Sequence, residues 1–134
     1  MRKLLPLLAV SMLIGGAAAS AKPADREAEL ARRLAGRVAG APVHCIDLHR
    51  ARSSQIIDGT AIVWDAGSIL YVNRPRSGAE ELDESDTMVL RLSSTQLCNV
   101  DTIRMVDRVS GAMTGLVFLG DFVPYRRVQT GDAR

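Results

Sequence analysis

Apolar and polar positions from Thr60 to Asn73 follow the two-residue period of a β-strand. On Thr60–Trp64, Ile62 and Trp64 fall on one face and Ala61 and Val63 on the other. On Ser68–Asn73, Ile69 and Tyr71 alternate with Leu70 and Val72. Turn chemistry separates these runs. Asp58-Gly59 favours a tight hairpin turn because both residues tolerate positive φ, and Asp65-Ala66-Gly67 fits a three-residue loop with Gly67 in the left-handed region. Val43–Ile57 reads as an extended or broken strand. The pattern therefore predicts a three-stranded antiparallel meander.

Downstream, Arg74–Asp86 is a polar connection with Pro75 and Gly78. Thr87–Ser93 alternates again, with Met88, Leu90 and Leu92 on one face. Ser94-Thr95-Gln96 reads as a turn, Asp101–Val106 as a strand, and Val109–Gly115 as a Gly/Ser loop. Leu116–Leu119 and Phe122–Arg127 read as short closing strands. Upstream the period changes. Leu30, Leu34 and Val38 recur at i, i+4, i+8, which predicts an amphipathic helix over Asp25–Val38, with Asp25 as N-cap, a Glu29–Arg33 pair, and Gly40 and Pro42 ending it. About six or seven short strands with one helix make a mainly β domain, a small antiparallel barrel or a two-layer sandwich. The strands lie too close in sequence for crossover helices, which argues against a parallel sheet.

The N-terminus adds a compartment. Arg2-Lys3, the apolar run Leu4–Ile14 and the small residues Gly15–Ala21 have the layout of a secretory signal peptide. Ala17-Ala18-Ala19 and Ala19-Ser20-Ala21 offer two cleavage sites, so the mature chain is expected to begin at Ser20 or Lys22. The apolar run falls short of the about 20 residues that a membrane span needs. The expected organisation is a signal peptide at 1–21, helix and linker at 22–42, a mainly β domain at 43–128 and a frayed tail at 129–134. The expected location is the periplasm or beyond.

Charge then narrows the partners. Without Arg2 and Lys3, the 17 basic residues become 15 and equal the 15 acidic ones. A neutral mature chain lacks the Lys/Arg excess that nucleic-acid binding requires. Cys45 and Cys98 are the only two cysteines, and in an oxidising compartment the expected state is an intramolecular disulfide. It closes a loop of about 54 residues, worth about 4 kcal/mol in loop entropy.

Five segments stand out along the β region: Cys45-Ile46-Asp47-Leu48, Ile56-Ile57-Asp58, Tyr71-Val72-Asn73, Leu97-Cys98 with Asp101-Thr102-Ile103, and Leu119-Gly120-Asp121-Phe122-Val123-Pro124. Together they resemble a group of small secreted bacterial proteins of unknown function. The resemblance covers about Val43–Pro124 and concerns fold rather than activity. Relatives often carry two further cysteines, near the positions of Ala79 and Val117, which this chain lacks. The resemblance implies that those two pair with each other, leaving Cys45 with Cys98.

Candidate chemistry is sparse. His44, Cys45 and His49 include metal-ligating types, but His44 and His49 are an odd number apart and on a strand would face opposite sides. Glu80, Glu81, Asp83, Glu84 and Asp86 form an acidic loop without the oxygen-ligand spacing of a calcium loop. Asp47, Asp58, Asp65, Asp101 and Asp121 lie at strand ends or turns, where a converging pair would be needed for glycoside hydrolysis. No Gly-x-Ser-x-Gly, phosphate loop or His-Glu-x-x-His occurs. Arg50 with Arg52, which the strand reading places on one face, and Arg74 with Arg76 are the candidate partner-binding residues. Arg126-Arg127 is a further basic pair. Trp64 and Tyr71 read as packing residues. The expectation is a non-catalytic binding or structural module of the cell envelope, with no cofactor, no metal, no nucleic acid and no membrane span after signal cleavage. Its partner would be an unidentified envelope component or protein. The alternatives are a proteinaceous inhibitor of a hydrolase presenting the Arg74–Asp86 loop, and an envelope-polysaccharide hydrolase with paired carboxylates.

Overall fold

A computed structural model describes residues 22–129. The signal-peptide reading and the tail from residue 130 lie outside them. The described chain is mainly β. Helix α1 (Pro23–Arg33) is followed by β1 (Arg37–Ala39), β2 (Cys45–Asp47), β3 (Ser53–Ile57), β4 (Ala61–Asp65) and β5 (Ile69–Asn73). A short 3-10 turn (Ala79–Glu81) precedes β6 (Thr87–Val89), β7 (Gln96–Cys98), β8 (Thr102–Val106), β9 (Met113–Phe118) and β10 (Phe122–Arg127).

All pairings are antiparallel. The largest sheet runs β1-β10-β5-β4-β3, a second pairs β2 with β7, and a third runs β6-β8-β9. No closed barrel forms, so the sandwich alternative fits. The meander β3-β4-β5 is present, with Ile56 opposite Ile62 and Trp64 opposite Tyr71.

Strand β4 explains the layering. Ala61, Ile62, Val63 and Trp64 are all buried, which requires cover on both faces. Ala61 and Val63 join Leu30 of α1, Ile57, Leu70 and Val72 in one apolar cluster. Ile62 and Trp64 join a larger one with Ile46, Leu82, Leu97, Ile103, Met105, Val117, Leu119 and Phe122. The helix covers one face of the five-stranded sheet and the two small sheets cover the other. The period-two alternation named both faces; it could not name their covers.

The helix is shorter than the apolar spacing predicts. Pro23 sits in its first turn, and Asp25 lies inside the helix rather than capping it, accepting the Lys22 backbone N–H at 3.0 Å. Gly36 takes φ +74° and reverses the chain. Arg37–Ala39 then pairs with β10 instead of extending the helix, and Val38 is more than half exposed on this edge strand. Glu29 meets Arg26 at 3.6 Å.

Three other segments differ from expectation. Gln96, read as a turn, opens β7. Met113–Gly115, read as loop, begins β9, with a register shift opposite Met105 and Val106. The Asp58-Gly59 turn is wider than a two-residue hairpin. Ile57 pairs with Ala61, only Gly59 takes positive φ, and Thr60 N–H donates to Ile57 O at 2.9 Å.

Candidate functional site

A cleft of about 490 Å³ opens between β3 and β6. Ser54, Gln55 and Ile56 of β3 line it on one side, and Thr87, Met88 and Leu90 on the other, with Trp64, Glu84, Asp86 and Arg108 completing the wall. It exists because β3 is the last strand of the five-stranded sheet and β6 the last strand of the three-stranded one.

Its polar residues are held in place. Asp86 is 8% exposed, and its carboxylate accepts the Thr114 hydroxyl. Arg108 Nη2 donates to Glu84 O at 2.8 Å and Asp86 O at 3.1 Å. Glu84 N–H donates to Asp58 Oδ1 at 2.7 Å, and Asp58 Oδ2 meets Arg26 of α1 at 2.9 Å. Leu82, 2% exposed, pins the same loop into the core. Trp64 is 5% exposed, and its indole Nε1 is buried without a hydrogen-bond partner. A buried donor without an acceptor costs free energy, and such groups are rare in folded proteins. Trp64 was legible only as a packing residue, and neither Arg108 nor Thr114 stood out in the sequence. The one available signal was that Trp64 is the only tryptophan.

The candidate arginines do not form one surface. Arg50 and Arg52 follow a turn rather than sharing a strand face, since Arg50 N–H donates to Asp47 O and Ala51 N–H to Leu48 O. Arg50 lines a smaller cleft of about 240 Å³ beside the disulfide. Arg74 is committed elsewhere, in a two-pronged pair with Glu27 of α1 at 2.7 and 2.9 Å. Arg76 Nη1 reaches Asn99 O at 3.4 Å. The first pair sits by the start of β5 and the second beyond its end.

Four of the five candidate aspartates accept a backbone N–H, Asp58 from Glu84 as above. Asp47 accepts from His49 N–H at 2.9 Å, Asp65 from Gly67 N–H at 2.7 Å, and Asp101 from Cys98 N–H at 2.7 Å. The first two are Asx contacts, made two residues on, and the third reaches back three residues to the end of β7. Asp121 accepts from Asn99 Nδ2 at 2.6 Å and faces His44 Nδ1 at 3.0 Å, on an exposed surface. Among the described residues, no three His, Cys, Asp or Glu side chains are placed to hold a metal ion. His49 lies in the turn after β2, apart from the His44–Asp121 contact.

Four carboxyls lie below the usual carboxylate range. The Arg74 guanidinium lowers Glu27, the Ser85 hydroxyl lowers Asp83, the Ser110 backbone N–H lowers Asp107, and His44 lowers Asp121. A folded-state pKa below the unfolded one stabilises the fold above the unfolded value, and that contribution is lost as pH falls through the folded one. Stability should therefore hold steady from neutral pH down to about pH 5 and decline below about pH 4. Urea midpoints measured across that range check this, and a midpoint that rises on acidification contradicts it.

No helix among the described residues is long and apolar enough to cross a membrane. The Cys45–Cys98 disulfide is consistent with an oxidising compartment. In comparison with known proteins, no family model, no curated protein and no solved structure matches this chain.

Proposed function

We propose that this chain is an exported, non-catalytic binding module of the cell envelope and that it binds its partner in the cleft between β3 and β6. The observation that carries the reading is a cleft that combines an apolar wall of Ile56, Trp64, Met88 and Leu90 with polar groups held in place, Asp86 and Arg108. Binding sites are concave, largely pre-formed, and combine apolar walls with a few placed polar groups. The turn carboxylates Asp47, Asp65 and Asp101 already accept backbone N–H groups, which accounts for them without a chemical step.

The test compares two sets of variants against an envelope extract. Ser54 and Thr87 are exposed and line the cleft, so Ser54→Arg and Thr87→Arg should obstruct it with stability changed by about 0.5 kcal/mol or less. Capture of the partner should be lost in both. Arg50→Ala and Arg52→Ala should capture it as the parent does. Capture that survives the cleft variants, or turnover of an envelope polysaccharide, overturns the reading.

One observation favours a second reading, an inhibitor that presents the Arg74–Asp86 loop to a hydrolase. That loop is braced at both ends on α1, through Arg74–Glu27 and through Asp58–Arg26. Rigid loops bind with less ordering cost. A hydrolase that co-purifies in inactive form and is released by loop substitution would favour this reading.

A further inference from the structure

We propose that the cleft accepts an extended segment of a partner protein bearing a lysine or arginine, the segment pairing its backbone with β3 and β6 at once. This rests on the binding-module reading above and specifies what that module binds.

The first argument is the state of the two edges. Strand β3 hydrogen-bonds to β4 and strand β6 to β8, and among the described residues neither makes a backbone bond on its outer side. Open edges are ordinarily guarded by charge, proline or a bulge. Here β3 reads Ser-Ser-Gln-Ile-Ile and β6 reads Thr-Met-Val, with none of these guards. Two unguarded edges that line one cleft offer the unpaired backbone groups that strand addition uses.

The second argument is Trp64. Its indole Nε1 is enclosed by the protein, so what Trp64 gives the cleft is apolar wall, suited to the side chains of an extended segment. Its 5% exposure leaves too little ring surface to stack on a sugar.

The third argument is charge. Asp86 is buried and taken by Thr114, and the Arg108 guanidinium is held by the carbonyls of residues 84 and 86, which leaves Glu84 as the exposed acid of the lining. The Glu84 side chain accepts no hydrogen bond in the structure and is exposed, so it is free to meet a cation. A second copy of the chain fits less well, because the β3 it would present, Ser-Ser-Gln-Ile-Ile, carries no cation for Glu84.

The probe is a pool of short synthetic peptides with threonine and valine flanks and a central lysine. Matched pools carry glutamate at the centre, or proline beside it. Trp64 is the only tryptophan, so its emission reports occupancy directly. The lysine pool should shift that emission saturably and slow amide exchange in both Ser53–Ile57 and Thr87–Val89. Glutamate should bind about tenfold more weakly, proline should abolish pairing, and Glu84→Gln should remove about tenfold of the lysine preference. Equal binding of the lysine and glutamate pools, or protection of only one edge, overturns the inference. So does a dimer whose β3 amides are already protected without peptide. If no pool binds while Ser54→Arg still abolishes envelope capture, the strand inference fails and the binding-module reading stands. If Ser54→Arg and Thr87→Arg both capture as the parent does, both readings fail.

Discussion

Replacing Cys45 and Cys98 together by alanine is expected to lower the unfolding free energy by roughly 2–5 kcal/mol. The two cysteines are 53 residues apart in sequence and directly opposite each other across β2 and β7. Opening that link returns a long loop to the unfolded chain, a gain of about 4 kcal/mol in loop entropy. Backbone pairing gives these two strands little hold. Strands β2 and β7 match only three residues each, and a two-stranded sheet is marginal by itself. Ile46 and Leu97 continue to bury apolar surface beside the bridge, so the fold is expected to survive near neutral pH with a lowered midpoint. Urea denaturation of the double variant measures the loss. Amide exchange should show β2 and β7 opening first. An unchanged midpoint, or uniform loss of protection across all three sheets, contradicts the account.

Asn73→Ala should cost about 3 kcal/mol. Asn73 is fully buried at the end of β5. Its amide nitrogen donates to Gly120 O at 2.6 Å, and its amide oxygen accepts Gly120 N–H at 3.1 Å. One side chain thus serves both polar groups of a residue that sits between β9 and β10. Gly120 cannot be relieved by a larger residue, because an added Cβ would collide with the Arg74 carbonyl oxygen. Alanine at position 73 leaves a cavity and two backbone groups without partners. Asn73→Asp supplies the control. It keeps one acceptor but sets a buried carboxylate against Gly120 O, so burial raises its folded pKa above the unfolded value. Its stability should therefore rise as pH falls through that raised value, opposite to the parent. Denaturation midpoints of both variants at two pH values check this, and an Asn73→Ala midpoint within error of the parent refutes the clamp.

This clamp joins two stretches that the sequence made conspicuous separately, Tyr71-Val72-Asn73 and Leu119-Gly120-Asp121-Phe122. Each reads as a strand end. Their meeting does not follow from either, because β5 pairs with β10 only through a long-range register, Asn73 opposite Phe122.

Local pattern determined a good deal. The two faces of β4 and β5, the positive φ of Gly59 and Gly67, and β10 from Phe122 to Arg127 were all readable, because side-chain alternation and turn chemistry are properties of neighbouring residues. The cysteine count determined the disulfide. Tertiary structure decided the rest. Arg37–Ala39 became a strand because β10 offered an edge, overriding an apolar spacing that suited a helix. Arg74 pairs with Glu27 because α1 brings that carboxylate to it. The cleft belongs wholly to this second level. Its walls come from segments about thirty residues apart, and its character depends on which strands end their sheets. A linear pattern records which face a residue prefers. It does not record which strand is left without a neighbour, because that depends on the order in which all the others pair.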